Sequence, residues 1–342
     1  MKARYGVIAL LLVCASAGAA DTSKPVVVFI LAGQSNMEGK ARLELLDYQV
    51  KQPQNREIFG HLQKDEKWIE RDDVWIKFLD RKGNLTVGYG SPKCIGPELE
   101  FGHVVGDHYQ QQVLLIKTAW GGRSLYRDFR PPSAGLPPDE ILEKTLAAQK
   151  KKNPAATIDD VKLPFGATYR DMLNEVRSTL ADVKRHFPSY QNQGYELRGL
   201  IWFQGWNDMI DDTATAEYTT NLAHFIHDVR SDLKAPNLPF VIAQMGVGGT
   251  EGVDAKVRKF KAAQAAVMDL PEAKNNIALV KTDQFWDMEA DAVFKKGWRE
   301  NLKEWNTVGS DYPYHYLGSA KTYCRIGRAL AEAVIALDTQ NH

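Results

Sequence analysis

Five short apolar runs rich in β-branched and aromatic residues recur along the chain: Val26 to Ala32, Val113 to Thr118, Leu197 to Phe203, Leu238 to Met245 and Ile277 to Thr282. Unbroken runs of strand length, without polar alternation, belong to strands covered on both faces, as in a parallel sheet. Between them the period changes. Residues 168–187 place Met172, Val176, Leu180, Val183 and Phe187 on one helical face. Residues 214–234 do the same with Tyr218, Leu222, Phe225, Ile226, Val229 and Leu233, after the capping cluster Asp211, Asp212 and Thr213. Lys256 to Leu270 and Ala320 to Leu337 predict two more helices. Strands alternating with helices predict the α/β class, as a three-layer αβα sandwich around a five-stranded parallel sheet.

Two segments break this rhythm. Residues 40–95 are polar, carry Trp68 and Trp75, and contain Lys82-Gly83-Asn84, which predicts an inserted hairpin region with its turn there. Residues 124–165 hold Pro131, Pro132, Pro137, Pro138 and Pro154 and the run Lys150 to Lys152. They read as a long excursion over the active-site edge. No repeat or interdomain linker interrupts the rest, so residues 21–342 read as a single domain with two insertions.

The amino terminus has the three parts of a cleaved secretory signal over residues 1–20. Lys2 and Arg4 precede the apolar stretch Val7 to Cys14, and small residues end it at Ala17-Gly18-Ala19-Ala20. That apolar stretch is too short to span a bilayer, and the expectation is a secreted or periplasmic protein. Its removal leaves Cys94 and Cys324, for which a long-range disulfide and two buried thiols both stay open. Lys and Arg number 43 against 43 Asp and Glu, and the leader holds two of the cations and no acid. Such a balance gives no electrostatic reason to bind nucleic acid or an anionic membrane. The oligomeric state is open.

Candidate chemistry lies at the ends of the predicted strands. Gly33-Gln34-Ser35-Asn36-Met37 follows the first run, so Ser35 stands where a strand ends and the chain turns. In open α/β sheets that edge is where ligands bind. After the second run comes Trp120-Gly121-Gly122-Arg123-Ser124, whose paired glycines let a backbone N–H approach a ligand with no Cβ in the way. The third run ends in Gln204-Gly205-Trp206-Asn207-Asp208, where an Asn amide can aim at the same oxygen. Close to the carboxyl terminus stands Asp311-Tyr312-Pro313-Tyr314-His315-Tyr316, just before the last helix, with a base and a carboxylate for the Ser35 proton. Each block alone is matched by a bland turn or cap. His224 and His227 on their helix read as an ordinary pair, no metal-ligand pattern accompanies them, and no cofactor is expected.

Four ordered blocks, Gly-Gln-Ser-Asn-Met, Gly-Gly-Arg-Ser, the third-strand block and His-Tyr-x-Gly-Ser-Ala, resemble the SGNH (GDSL-like) hydrolase superfamily. The match is closest to its carbohydrate esterase family 6 and sialate O-acetylesterase-like branch. Met37 stands where a nucleophile elbow would have its second glycine, which argues against the common α/β-hydrolase fold. The resemblance implies an SGNH, flavodoxin-like sheet. It implies Ser35 as nucleophile, His315 as general base and acid, and an oxyanion hole of Ser35 N–H, Gly122 N–H and the Asn207 side chain, with Gly121 as the alternative glycine. The sequence departs from the pattern at the acid. Tyr312 stands three residues before the histidine and Asp311 four, while Trp206 occupies the place of a glutamate found in the acetylesterase branch. Asp311 is therefore preferred and Asp208 is second.

The leading expectation is a secreted serine esterase that removes O-acetyl groups from a polysaccharide such as xylan, with Gln34, Trp120, Arg123 and Trp206 touching substrate. A sialate O-acetylesterase is the alternative. So is a carbohydrate-binding protein on a hydrolase scaffold, stacking sugars on Trp120, Trp206 and Trp286. A lipase or thioesterase fits less well, because the blocks are rich in Trp, Arg and Asp and lack an apolar stretch for an acyl chain.

Overall fold

The computed structural model describes residues 20–251, 253–271 and 276–341, so the expected signal lies, but for its last residue, outside the described residues. Its centre is a sheet of seven strands: β1 (Val26–Gly33), β2 (Arg71–Phe78), β3 (Arg81–Leu85), β4 (Val113–Ala119), β5 (Tyr195–Phe203), β6 (Phe240–Gln244) and β7 (Ile277–Lys281). In space they run β7-β6-β5-β1-β4-β2-β3. All neighbours are parallel except β2 and β3. Each of the five predicted runs forms a strand, with its ends shifted by a residue or two.

The expected count of five is corrected to seven, because the first insertion adds β2 and β3 to one edge. Charge hid these strands. β2 begins Arg71-Asp72-Asp73 and includes Lys77, yet Arg71 is buried and holds Asp73 at 2.6 Å and Asp107 at 2.7 Å, while Lys77 pairs with Glu175. Once paired, such cations can line a packed strand. The predicted turn also moves. The chain reverses at Leu79-Asp80, where Leu79 takes a positive φ of 54°, and Gly83 lies within β3 opposite Ile76.

The helices that frame the sheet are α1 (Ser35–Glu38), α2 (Glu98–His108), α3 (Ala167–Ala181), α4 (Trp206–Met209), α5 (Asp212–Asp232), α6 (Ala255–Ala265) and α7 (Ala320–Asn341). Phe29 of β1 packs on Phe101 of α2 at 5.5 Å, and α7 lies against α2 on that face. Trp202 of β5 packs on Phe225 of α5 at 4.4 Å, and Phe225 on Tyr169 of α3, on the opposite face. Helices thus cover both sides of a mostly parallel sheet, the αβα layering expected. The helix predicted over 168–187 is broken at Asp182, whose side chain accepts the Arg185 N–H and starts a separate turn.

The second insertion is less irregular than its prolines suggest, for it carries helices at Asp139–Lys150 and Ile158–Lys162. Cys94 and Cys324 are free, buried thiols. Among the described residues no helix is long and apolar enough to cross a membrane.

Beneath the carboxyl end of β1 and β4 the sheet buries an ion pair. Lys117 of β4 is fully enclosed, and its ammonium donates to Glu98 at 2.7 Å and to the carbonyls of Glu38 and Tyr89 at 2.8 Å. All three N–H donors are therefore used, the condition under which a buried charge is tolerable. Lys117→Met would strand the Glu98 carboxylate without its partner. A loss of about 3–5 kcal/mol in urea unfolding is expected, the usual result of breaking a buried pair. A change below about 1 kcal/mol would mean that solvent reaches the pair and that it is not the support described.

Candidate active site

The exits of β1, β4 and β5 stand side by side, because β1 is central and the chain builds first to one side of it and then to the other. Such a switch in strand order opens a crevice at the carboxyl edge. At the end of β1 the fit is tight. A Cβ on Gly33 would lie 2.2 Å from the Phe203 carbonyl oxygen, so only glycine lets the Ser35 turn press against the exit of β5. Ser35 opens the single turn of α1 and is 6 % exposed.

His315 Nε2 lies 3.0 Å from Ser35 Oγ, across 280 residues of chain. Its other ring nitrogen, Nδ1, lies 3.2 Å from Asp311 Oδ1, close enough for an ion pair but misaligned for a hydrogen bond. The Asp311 carboxyl feels burial, which raises it. The approach of His315, the Tyr312 N–H at 2.7 Å and the charge of Lys40 outweigh that and hold it below the usual carboxylate range. Asp311 is thus a charged group beside the imidazole.

The loop that carries these residues is held from below. Tyr316 and Leu317 both adopt left-handed backbone, at φ of 51° and 61°. Burial of the Tyr316 ring and its hydroxyl contacts, to Thr282 Oγ1 at 2.6 Å and from the Gly246 N–H at 2.8 Å, offset that strain. Asn36 ties the loop to the nucleophile turn. Its amide donates to the Tyr314 carbonyl at 3.1 Å and its carbonyl accepts from the Tyr323 hydroxyl at 3.1 Å, while the same hydroxyl reaches the His315 carbonyl at 3.3 Å. Asn36, Tyr314 and Tyr323 are positioning residues that the sequence reading passed over. Asn36 was in view inside Gly-Gln-Ser-Asn-Met, but nothing local announces a bond to a loop near the other terminus.

The remaining predicted residues separate into two groups. Gly121 stands next to Ser35, its Cβ position being 3.9 Å from Ser35 Cβ and 3.4 Å from Glu38 Oε2, whereas that of Gly122, at φ 71°, faces open space. Asn207 lies half-buried at the start of α4, and its side chain makes no hydrogen bond among the described residues. These groups are available to a ligand. Trp206 is half-buried against Tyr314, rings 5.4 Å apart, and Trp120 is half-buried against Phe129 at 6.3 Å.

Others are engaged elsewhere. Gln34 is buried, and its side-chain oxygen accepts from the Gly205 N–H at 3.1 Å and from Gln204 at 3.2 Å, so it braces the β1 and β5 exits. Asp208, the second choice for the acid, has its carboxylate on the Leu125 and Tyr126 N–H groups at 2.9 and 2.8 Å and on Gln204 Nε2 at 2.5 Å, so both oxygens hold the start of the second insertion. Complete burial pushes its carboxyl up to about 6 in spite of those bonds. Arg123 pairs with Asp128 at 3.4 Å. Trp286 is 7 % exposed and packs on Tyr316, which removes it as a sugar platform. His224 meets Ser133 Oγ at 2.8 Å and His227 meets Asp228 at 3.0 Å.

The family model described as carbohydrate esterase, sialic acid-specific acetylesterase, matches residues 25–294. Over 66 residues the chain is 33% identical to a probable carbohydrate esterase from Arabidopsis thaliana, a stretch that is 19% of this chain and 25% of the plant protein. Among solved structures it resembles an Arabidopsis thaliana protein with a TM-score of 0.51 and 17% identity, covering 91% of this chain and 98% of that one. It also resembles a novel carbohydrate acetylesterase from Xanthomonas citri with a TM-score of 0.50 and 14% identity, covering 92% of this chain and 57% of that one. At such identities the structures share the fold.

Asp208 supplies a test of its structural role. Its carboxyl is raised from 3.8 to about 6, so between those values the folded protein retains a proton that the unfolded chain gives up. Its contribution to stability therefore falls as pH rises through that window and is level above it. Asp208→Asn removes this dependence. In urea titrations from pH 4 to 6.5, the stability of the wild type relative to the variant should decline by roughly 2–3 kcal/mol. A constant difference would show that Asp208 ionises as freely as in the unfolded chain.

Proposed function

The chain belongs to the carbohydrate esterase, sialic acid-specific acetylesterase family, and from that premise we propose that it is a serine esterase, acting on O-acetyl groups of a carbohydrate through an acyl-enzyme on Ser35. The observation that carries the reading is the line of Ser35 Oγ, His315 Nε2 at 3.0 Å and Asp311 at 3.2 Å from the far ring nitrogen. In it, His315 takes the hydroxyl proton as Ser35 Oγ attacks the acetyl carbonyl. The Asp311 carboxylate steadies the imidazolium and its tautomer. His315 then hands the proton to the departing sugar oxygen. In the second half water attacks the acetyl-serine, its proton passes through His315 back to Ser35, and acetate leaves.

The negative oxygen of each tetrahedral intermediate falls to free donors at the three strand exits: Ser35 N–H, the N–H of Gly122 or Gly121, and the Asn207 amide. The order of these blocks along the chain supports the SGNH resemblance. We read residues 21–342 as one esterase domain carrying insertions at about 40–95 and 124–165, secreted or periplasmic once the signal at 1–20 is removed.

Arg123 bears on the sugar. Its guanidinium pairs with Asp128, which supports a role in holding the loop and a neutral acetylated polysaccharide such as xylan as substrate. The family description favours a second reading, an O-acetylated sialate, whose carboxylate Arg123 would bind bidentately if it left Asp128. Rates on acetylated xylan and on O-acetyl sialosides, for wild type and Arg123→Ala, separate the two. A preference for sialosides that vanishes in the variant would assign the sialate.

Ser35→Ala should cost roughly 10⁴-fold or more in kcat with the fold intact, and His315→Ala should match it, because the two act as a unit. Near-native turnover of p-nitrophenyl acetate by either variant would end the assignment. Asp311→Asn should cost more activity than Asp208→Asn, and the reverse ranking would move the acid to the third block. Asn207→Ala should lower kcat by about 10² to 10³ with little change in KM, the usual effect of losing one oxyanion donor. A change in KM alone would contradict that role.

A further inference from the structure

We propose that the groove beyond Asp311 is a glycan-chain subsite, which receives further sugar units of the carbohydrate whose acetyl ester reaches Ser35. This inference rests on the carbohydrate acetylesterase reading above. From His315 a series of rings runs outward without a break. Tyr314 lies edge-on to His315 at 4.5 Å, Tyr312 stacks on Tyr314 at 5.4 Å with the planes 8° apart, and Trp298 meets Tyr312 edge-on at 6.1 Å. Trp305 supports Trp298 from below, its ring 5.7 Å away. The Arg299 guanidinium lies 4.7 Å over Trp298 and 3.5 Å from the Tyr312 hydroxyl, so it holds the pair together.

These rings are more than core. Tyr312 is 41% exposed and Leu302, facing the same space, is 51% exposed, while Trp305 is buried. Trp298, Trp305 and Tyr312 border a groove with a volume of about 640 Å³, and Asp311, 3.2 Å from His315, forms part of its wall. That volume lies inside the range of about 300–1,000 Å³ usual for ligand sites. Arg42, Glu44 and Asn306 are also in the lining.

This mixture selects a class of ligand. A sugar ring has an apolar C–H face and a rim of hydroxyls, which suit aromatic surface beside planar polar side chains. A fatty acyl chain would have to lie against the charges of Arg42, Glu44 and Asp311. A monosaccharide ester seated at Ser35 would leave the groove empty. The structure therefore favours an oligomeric substrate.

The test compares short and long esters in two series: acetylated xylose against acetylated xylotetraose, and O-acetylated N-acetylneuraminic acid free against the same sugar at the end of a trisaccharide. Each is measured with wild type, Trp298→Ala, Trp298→Phe and Tyr312→Ala. In the series that is turned over, the wild-type ratio of kcat/KM, long to short, should be at least ten. It should fall by about tenfold in Trp298→Ala and in Tyr312→Ala, through KM, and Trp298→Phe should keep part of it. A ratio near one in wild type, or a ratio that neither alanine variant changes, would overturn the subsite. Should Trp298→Ala fail to fold, Tyr312→Ala gives the same reading from the exposed end of the series. Cleavage of p-nitrophenyl acetate with no cleavage of any sugar ester would instead overturn the carbohydrate reading on which the subsite rests.

Discussion

The contact between Gly33 and the Phe203 carbonyl governs this site. Two parallel strands whose side chains are buried on both faces end together, and the backbone of one leaves no room for a Cβ on the other. As a result the turn after β1 folds back toward the exit of β5, and Gln34 fastens the two by accepting from Gly205 and Gln204. Ser35 is thereby carried to the start of α1 beside the end of β4, where Gly121 approaches it. The placement of Ser35 follows from main-chain packing more than from any bond of its own side chain. A substituent at position 33 would move all three blocks at once.

The histidine arrives by a different route. Its loop has no sheet to register it, so it is fixed by two residues in left-handed backbone and by the hydroxyls of Tyr316 and Tyr323. Strain of this kind costs on the order of 1–3 kcal/mol per residue and survives only where surrounding contacts over-determine it. Here the buried Tyr316 ring and the two bonds of Asn36 do so. Asn36 is the point where the two systems meet, since one amide group serves both the nucleophile turn and the histidine loop.

Legibility in the sequence followed the same division. Five of the strands and the four helices predicted could be read because burial sets their apolar periods, which leaves a strong local pattern. The hairpin of β2 and β3 was legible as an inserted hairpin but not as part of the sheet, since Arg71 and Lys77 are neutralised by Asp73, Asp107 and Glu175, partners near and far, whereas a periodic reading scores them as solvent-facing charge. Within the site, Ser35, His315 and Asp311 were legible from block order, and the structure brings them within 3.2 Å of one another in sequence of contact. Gln34 and Asp208 hold partners that block order does not announce: the Gly205 N–H for the first, the Leu125 and Tyr126 N–H groups for the second, and the Gln204 side chain for both. Backbone partners leave no trace in side-chain identity.

Buried charge beneath the candidate site gives these observations a common sense. Lys117 with Glu98 lies under the Ser35 turn, holding the Glu38 carbonyl at the end of α1, and Asp208, buried within α4, holds the loop that follows the paired glycines. Neither arrangement is the cheapest way to fill a core, because hydrophobic replacements of such groups are often as stable or more so. What they supply is direction: a charge with every donor or acceptor committed tolerates few alternative geometries. An oxyanion site needs that property, since its donors must already point at the place where charge will develop and gain nothing by adjusting during the reaction. Stability spent below the site is therefore coupled to precision at its surface, where Ser35, Gly121 and Asn207 have few bonds of their own to orient them.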